Sequence, residues 1–463
     1  MLKEIKINGL RGFGKEETIE FALPNGKEGS GLNIIVGPNN SGKTTITEAV
    51  KFYNTNSANI SFSENKRNKN NRNRIDITYI DENNKEIEMH TVKEGGSQVD
   101  INGEITNKTP YVLPSRRFAD YNMYNYSYTT DRYSFMINNI TNSKNNRTTI
   151  LSQYEQRVFD WKRDKDTFDK LLQKVIIEPF EWLIEQNEDG SYFIKIIYED
   201  KSIAHTREGM GDGYWSIFTI IDTLYDSKKG DIVVIDEPEL SLHPAFQKRV
   251  VKLLEEFSKD KQIIITTHSP YFISLNAIVN GGKLIRTFKD KEGNIRTGNL
   301  KEEDNKFIAS IMKNKNNPHI LGLEAKELFF IEDNIVITEG QEDVVIIPDI
   351  CKDLNLKLEA SLFGWGAGGA ENIVKVLNML NNLGYKKVSA IFDGDKQKEY
   401  EKCYEKFSFY NIIKLFKDDI RDKPEIHSKS KEGVTNEKGH IKVENIEQFK
   451  EIINKVNEYH KNS

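Results

Sequence analysis

The chain has 463 residues, of which 37% are hydrophobic and 30% charged, and this composition excludes a disordered chain and indicates about two to three globular domains. The formal net charge is -5, so overall charge does not indicate a nucleic-acid partner, and any such contact must use local basic patches. The only two cysteines, Cys351 and Cys403, argue against a disulfide framework or a zinc site, and the absence of a long apolar run or a signal peptide predicts a cytoplasmic protein without membrane contact.

The first half of the chain predicts strands followed by an α/β alternation. Hydrophobic periodicity predicts the following elements: strands at 2–7, 17–23 and 32–37, a helix at 43–53, a hairpin at 74–80 and 85–92 that 95–105 extends, a helical insertion at about 115–185 with a loop at 138–149, strands at 192–198, 231–236 and 262–267, and helices at 214–226 and 245–257.

The second half begins with a charged, irregular stretch after residue 281, and residues 313–319 predict a linker. A second alternation follows, with strands predicted at 334–339, 358–364, 386–395 and 410–416 and helices at 343–354, 371–384 and 396–407. Pro348 predicts a kink or a short first turn in the first of these helices. The fold class is therefore α/β, with one domain at 1–325 and a second, Rossmann-like domain at 326–463.

A phosphate-binding loop is predicted at 37–44, where "GPNNSGKT" follows a strand and opens a helix. Its backbone N–H groups would surround the phosphates of ATP, Lys43 would reach the β and γ phosphates, and the Thr44 hydroxyl would bind Mg²⁺. The residues predicted to bind the nucleotide are Gly37, Asn39, Asn40, Ser41, Gly42, Lys43, Thr44, Thr45 and Asp236.

An acidic pair and a histidine complete this predicted site. "IVVIDEPE" ends an apolar strand with Asp236, which can hold Mg²⁺, and Glu237, which can polarise the attacking water. "QIIITTHSP" places His268 at the tip of the next strand, where it can contact the γ-phosphate. We therefore predict catalytic roles for Glu237 and His268.

These motifs, together with "IKINGLRGFG" before the loop, resemble the ABC-type ATPases of the SMC/RecF-like group, and most of all the OLD (overcoming lysogenization defect) family. Such ATPases pair two subunits around the nucleotide, so the resemblance implies self-association through this domain. The best match to their signature segment, residues 207–218, has Gly209, Gly211 and Gly213 but carries Asp212 where a neutral group is usual. A carboxylate near a γ-phosphate is unfavourable, which predicts slow or regulatory turnover. Arg116 and Arg117 are candidates for phosphate contacts or for a structural ion pair.

A second constellation consists of acids at strand ends. Glu339 ends the strand of "VITEGQED" with Asp343 four residues on, and "IFDGDK" ends a later strand with Asp393 and Asp395. If the helix starts at once, Glu339 and Asp343 share one of its faces. Parallel strands gather ligands at their carboxyl ends, and clustered carboxylates need a cation, for which oxygen ligands favour Mg²⁺ or Mn²⁺.

The pairing of Glu-Gly with Asp-x-Asp resembles the TOPRIM domain of topoisomerases, primases and OLD nucleases, and residues 323–340 are similar to the junction between ATPase and TOPRIM domains in the OLD family. This resemblance implies one or two metals on Glu339, Asp343, Asp393 and Asp395, with metal-activated water cutting a phosphodiester. It also implies a later acid, for which Asp418, Asp419 and Asp422 are candidates and Asp419 is favoured, and a lysine, for which Lys431 and Lys438 are candidates and Lys438 is favoured.

The combined reading is an ATP-regulated, divalent-metal-dependent DNA endonuclease of the OLD or Gabija type. Its resemblance implies bacterial defence against phage and a partner such as a helicase or a retron. Two alternatives remain open: a TOPRIM effector that cuts tRNA under ATPase control, and an ATP-dependent nucleic-acid sensor or clamp that does not cut.

Overall fold

The computed structural model describes residues 1–55, 60, 62, 64–68, 74–92, 97–104, 109–115, 164–176, 180–186, 192–198, 204–205, 211–313, 333–364, 366–425 and 430–462. The chain divides into two compact units, Met1–Thr297 and Gly298–Ser463. The boundary expected at 325/326 lies outside the described residues, as do the loop at 138–149, Arg116, Arg117, Gly209 and nearly all of the linker at 313–319. Among the helices that the structure describes, none combines the length and apolar character that crossing a membrane requires.

The elements of the first unit agree in most places with those predicted. Its strands are β1 (Leu2–Asn8), β2 (Glu17–Glu20), β3 (Leu32–Val36), β4 (Asp76–Asp81), β5 (Glu86–Thr91), β6 (Val99–Asn102), β7 (Tyr111–Leu113), β8 (Phe180–Gln186), β9 (Tyr192–Tyr198), β10 (Ala204–His205), β11 (Ile232–Asp236), β12 (Gln262–Thr266), β13 (Lys283–Lys289) and β14 (Ile295–Asn299), the last of which runs into the second unit. Its helices are α1 (Lys43–Lys51), α2 (Lys165–Val175), α3 (Asp212–Asp226), α4 (Pro244–Phe257) and α5 (Leu275–Asn280).

A six-stranded sheet with the order β14-β13-β3-β12-β11-β7 forms the centre of the first unit. Its strands β3, β11 and β12 are parallel and buried at every position, as expected for central strands with both faces covered. In register, Thr266 pairs with both Asp236 and Ile35. The carboxyl ends of these three strands therefore lie at one edge of the sheet, where ligand sites of α/β proteins form.

An antiparallel sheet with the order β2-β1-β4-β5-β6 makes the second layer of this unit. The predicted hairpin of β4 and β5 is confirmed, and β6 extends it as expected. A hydrophobic core joins this sheet to α1 and to the central sheet, with Ile5, Ile46, Tyr79 and Ile264 among its fully or almost fully buried members.

Two predictions for the first unit are wrong. The insertion predicted to be helical to residue 185 contains α2 but then the strand β8, because Phe180–Gln186 pairs along its whole length with β9 in antiparallel register. The stretch after 281, expected to be irregular, contains β13 and β14, since β13 extends the central sheet by pairing in parallel with β3.

The second unit is built on a parallel sheet with the order β16-β15-β17-β18. Its elements are β15 (Ile335–Ile337), β16 (Ser361–Leu362), β17 (Val388–Phe392), β18 (Asn411–Lys414), β19 (Asp419–Arg421), β20 (Gly433–Thr435), α6 (Glu302–Lys313), α7 (Gln341–Asp353), α8 (Ala370–Asn382), α9 (Gln397–Lys406) and α10 (Ile446–Asn462). The four predicted strands and three predicted helices are confirmed, and α7 runs through Pro348. The small β19-β20 sheet and α10 were not predicted.

Candidate functional site

The phosphate-binding loop lies between β3 and α1, and two of its glycines have no room for a side chain. Gly37 has φ 152° and Gly42 has φ 95°, backbone conformations that favour glycine. A Cβ at Gly37 would lie 2.3 Å from Thr287 Oγ1, and one at Gly42 would lie 2.4 Å from Ile295 Cδ1. The loop is therefore held tightly against β13 and β14.

Lys43 folds across this loop. Its Nζ donates hydrogen bonds to the carbonyl oxygens of Gly37 and Pro38, each at 2.9 Å. Burial lowers the pKa of Lys43 to about 8, while the carboxylates of Glu237 and Asp236 oppose that shift. The ammonium group thus lies inside the loop, where the negative charges of Glu237 and Asp236 act on it.

The other predicted loop residues differ in exposure. Asn39, Asn40 and Thr44 are exposed, whereas Ser41 and Thr45 are buried. The Ser41 hydroxyl donates to Pro38 O at 2.7 Å and hydrogen-bonds Thr287 Oγ1 at 2.6 Å. Thr287 therefore stabilises the loop through Ser41. Sequence reasoning missed Thr287 because the strand that carries it, β13, was not predicted.

The acidic pair and the histidine come together at the same sheet edge. Asp236, the buried last residue of β11, accepts a short hydrogen bond from the Thr266 hydroxyl. Glu237 has φ 50°, and its N–H donates to Thr266 O at 3.0 Å. His268 Nε2 lies 3.8 Å from Glu237 Oε1. Burial and the positive charge of Lys43 lower the pKa of His268, which favours its neutral form.

The described part of the predicted signature segment forms the start of α3. Gly211 is the N-cap, and Asp212 is an exposed first residue. A Cβ at Gly213 would lie 2.7 Å from Ser241 O. The start of α3 therefore packs closely against the turn that follows β11.

In the second unit, the ends of β15 and β17 bring Glu339 and Asp393 together. The two strands are parallel neighbours, with Ile337 opposite Ala390. Glu339 Oε1 accepts a hydrogen bond of 3.0 Å from the Asp393 N–H. The expected meeting of these two acids at one edge of the sheet is confirmed.

Asp343 lies beside Glu339, but in a different arrangement from the one that the sequence predicted. Glu339 precedes the helix, because Gly340 is an extended N-cap and α7 begins at Gln341. Asp343 Oδ2 accepts a hydrogen bond of 2.9 Å from the Gly340 N–H. The two acids are thus adjacent across the start of α7 rather than on one helical face, and this part of the sequence interpretation is wrong.

The carboxyl groups of Glu339, Asp343 and Asp393, which form an acidic cluster, have raised pKa values. Burial raises the pKa of Asp393 to about 9, with further increases from the negative charges of Asp343, Glu339 and Asp419. Burial also raises the pKa of Glu339 to about 7 and that of Asp343 to about 6. Buried carboxylates that repel each other are costly to ionise without a cation.

Two lysines lie on the outer side of this cluster. Lys431 Nζ is 2.9 Å from Asp395 Oδ2 and 3.3 Å from Asp419 Oδ2, and Lys423 Nζ is 2.7 Å from Asp419 Oδ2. The ion pairs of Asp395 with Lys431 and Lys396 lower its pKa despite its partial burial.

Among the late candidates, the structure brings Asp419 and Lys431 to the cluster. Asp418 is exposed, and Asp422 pairs with Lys442 at 2.8 Å. Lys438, favoured from the sequence, lies in an exposed turn after β20. Lys431 reaches the carboxylates in its place. The β19-β20 pairing sets Asp419 opposite Gly433, two residues after Lys431, and an isolated bridge pairs Lys431 with Lys423.

A glycine-rich loop before α8 fixes the backbone of Glu339, and sequence reasoning missed it. The N–H groups of Gly368 and Gly369 both donate to Glu339 O at 2.9 Å. Gly366 has φ 83°, and a Cβ there would lie 2.7 Å from Gly340 Cα. Four glycines within 364–369 were the available signal.

The donor set of this cluster fits a divalent cation that prefers oxygen, since its ligands would be carboxylates. Within the described ranges, however, no three Asp, Glu, His or Cys side chains already have the spacing of a metal site. Lys431 and Lys423 occupy oxygens on one side, and backbone N–H groups bind Glu339 and Asp343 on the other. Metal binding therefore requires side-chain rotations in the cluster.

Comparison with known proteins gives one family and several relatives. A family profile described as "AAA domain, putative AbiEii toxin, Type IV TA system" matches residues 32–274. An OLD nuclease from Thermus scotoductus is 31% identical over 203 residues, covering 41% of this chain and 37% of that protein. Endonuclease GajA from Bacillus cereus is 25% identical over 283 residues, covering 50% and 39%. The Septu protein PtuA from Bacillus thuringiensis is 23% identical over 318 residues, covering 60% and 74%.

These matches confirm the expected similarity to OLD nucleases and the P-loop ATPase fold of the first unit. The chain spans 37% and 39% of the lengths of the OLD nuclease and of GajA.

Proposed function

The chain belongs to the AAA domain family whose profile covers residues 32–274, and we propose that it is an ATP-regulated nuclease. In this proposal the first unit binds and hydrolyses ATP, and the second unit cuts nucleic acid with a divalent cation. The proposal keeps the domain assignment of the sequence, an ATPase followed by a TOPRIM nuclease. The names of the relatives, OLD nuclease and Endonuclease GajA, support the nuclease half.

One observation carries the nuclease proposal: buried acids from two strand ends and a helix start meet at one edge of the second sheet. Mg²⁺ or Mn²⁺ bound there would supply an activated water and would stabilise the leaving oxygen of a phosphodiester. Glu339, Asp343, Asp393 and Asp395 would hold the cation, with Asp419 at the edge of the set. Lys431, a cation at the exposed side, would attract and orient the phosphate of the substrate.

In the first unit, the chain's own groups would act on ATP. Lys43 would exchange its two carbonyl acceptors for phosphate oxygens, and Thr44 with Asp236 would hold Mg²⁺. Glu237 would orient the attacking water, and neutral His268 would donate a hydrogen bond to the γ-phosphate. A second copy of the chain would complete the nucleotide site. The carboxylate of Asp212, exposed at the start of α3, would then disfavour the γ-phosphate and make ATP hydrolysis slow.

DNA is the proposed substrate, in a role in defence against phage. The test uses the full chain with supercoiled plasmid and, separately, with tRNA, each with Mg²⁺ or Mn²⁺ and with or without ATP. We expect metal-dependent nicking of the plasmid that Asp393→Asn abolishes and that Asp418→Asn, a change at an exposed neighbouring acid, leaves intact.

The other outcomes decide between the remaining functions. Intact plasmid beside cut tRNA would replace DNA by RNA as the substrate. No cleavage of either substrate, together with ATP-dependent retardation of DNA in a gel, would refute the nuclease proposal in favour of a clamp or sensor.

A further inference from the structure

We propose that Glu239 is a positioning residue for His268 and that it contributes to ATP hydrolysis only through that histidine. The proposal rests on the proposed ATPase function and adds to it a residue that none of the sequence motifs singled out. Glu239 lies in the turn between β11 and α4, two residues after Glu237. It is therefore part of the same short segment as the acidic pair but has no direct role in the chemistry described above.

The carboxylate of Glu239 holds two consecutive residues of the segment that follows β12. Its Oε1 accepts a hydrogen bond of 2.6 Å from the His268 backbone N–H. Its Oε2 accepts one of 2.9 Å from the Thr267 hydroxyl. Burial raises the pKa of Glu239, and these two hydrogen bonds oppose the rise. A partly buried carboxylate that receives two donors from consecutive residues makes a specific contact between two loops.

Further bonds fix the residues on either side of His268. The Thr267 N–H donates to Ile35 O at 3.0 Å. The Ser269 N–H donates to Thr267 Oγ1 at 2.9 Å, and the Ser269 hydroxyl donates to Gln247 Oε1 at 2.5 Å. The backbone of His268 itself is held by Glu239. Since the imidazole lies 3.8 Å from Glu237 Oε1, a shift of this backbone would move the imidazole out of line with the site of hydrolysis.

A glutamate could also make these bonds merely to stabilise the fold, and a double-mutant cycle separates the two roles. In Glu239→Ala both carboxylate oxygens are lost, so the His268 N–H and the Thr267 hydroxyl lose the acceptors that Glu239 provides. We expect kcat for ATP hydrolysis to fall about tenfold, the cost of one unsatisfied backbone N–H. The Kd for a fluorescent ATP analogue should stay within about twofold, because the phosphate-binding loop is untouched.

In the background of His268→Ala, we expect Glu239→Ala to change kcat less than about twofold, because the residue that it positions is gone. Thr267→Val, which leaves the bond from the His268 N–H to Glu239 in place, should reduce kcat less than Glu239→Ala does. Glu16→Ala, at an exposed glutamate of the same unit, is the matched control and should leave kcat unchanged.

Amide hydrogen exchange supplies a readout that does not depend on turnover. The His268 N–H should exchange faster in Glu239→Ala than in the wild type, and unchanged protection would overturn the proposal. An equal loss of kcat with and without His268, or an undiminished kcat in His268→Ala, would overturn it as well. If the wild type hydrolyses no ATP, the proposed ATPase function fails, and the exchange measurement still decides whether Glu239 holds the His268 backbone.

Discussion

Replacing Asp393 by asparagine should remove a pH dependence of stability that the acidic cluster creates in the absence of metal. The pKa of Asp393 is raised from 3.8 to about 9. Between these values the folded protein keeps a proton on Asp393 that the unfolded chain releases, so the contribution of this group to stability is greatest at low pH and falls as pH rises. The slope for one such group is about 1.4 kcal/mol per pH unit.

From pH 6 to pH 8, Asp393 alone should therefore lower the free energy of unfolding by about 2 kcal/mol, allowing for coupling within the cluster. Glu339, whose pKa is raised to about 7, adds to the slope at the lower end of this range. Asp393→Asn removes its own share, because an amide binds no proton. Saturating Mg²⁺ should also flatten the wild-type slope, since a cation replaces the proton.

The assay is urea denaturation of the full chain in a chelator at pH 6, 7 and 8, followed by circular dichroism. Asp418→Asn, a change at an exposed neighbouring acid, is the matched control and should leave the slope between pH 6 and pH 8 unchanged. An identical slope in the wild type and in Asp393→Asn would refute the account of the cluster as a set of buried, mutually repelling carboxyls.

Three further predictions concern other groups. Lys43→Ala should abolish ATP binding, measured with a fluorescent analogue. It should leave the metal affinity measured by isothermal titration calorimetry within about twofold, because the two sites lie in separate units, and lost metal affinity would contradict this. Lys431→Ala should reduce cleavage at least about tenfold while Lys438→Ala leaves it unchanged, and the reverse order would show that the lysine assignment is wrong. Burial lowers the pKa of His460 to about 4. Its contribution to the free energy of unfolding should therefore fall by about 2 kcal/mol as pH drops from about 6.5 towards 4. His460→Gln should lessen that fall in urea denaturation, and an unchanged loss of stability at acid pH would count against a buried neutral imidazole.

The parts of the fold that the sequence predicted are those whose signals are local. The phosphate-binding loop has its glycines, its lysine and its strand and helix within a dozen or so residues, so its context was sufficient. The strand ends carrying Asp236, Glu339 and Asp393 were visible as apolar runs that stop at an acid. Parallel pairing then required the acids of neighbouring strands to meet.

The parts that were missed depend on distant pairing. Residues 180–186 contain both helix and strand formers, and their partner β9 decides the outcome. The charged residues at the ends of β13 disfavoured a strand prediction there, and the strand forms because it pairs in parallel with β3. Lys431 reaches Asp395 because the backbone after β19 pairs with residue 431 and β19 pairs with β20, which no local pattern indicates.

One omission did have a local signal. Phe449, Ile452, Ile453 and Val456 have helical spacing and pack together in the core of the second unit, so α10 was predictable from periodicity. Glu239, by contrast, is one more acid in an acidic segment, and only its two hydrogen bonds distinguish it from its neighbours.

The central claim is that the acids of the second unit gather around a divalent cation. Anomalous diffraction from crystals of the full chain grown with Mn²⁺ tests it directly, and we expect a manganese peak within about 2.5 Å of carboxylate oxygens of Glu339 and Asp393. Manganese bound only in the first unit, with these two carboxylates turned to different surfaces, would contradict the claim and leave only the ATPase half of the proposal.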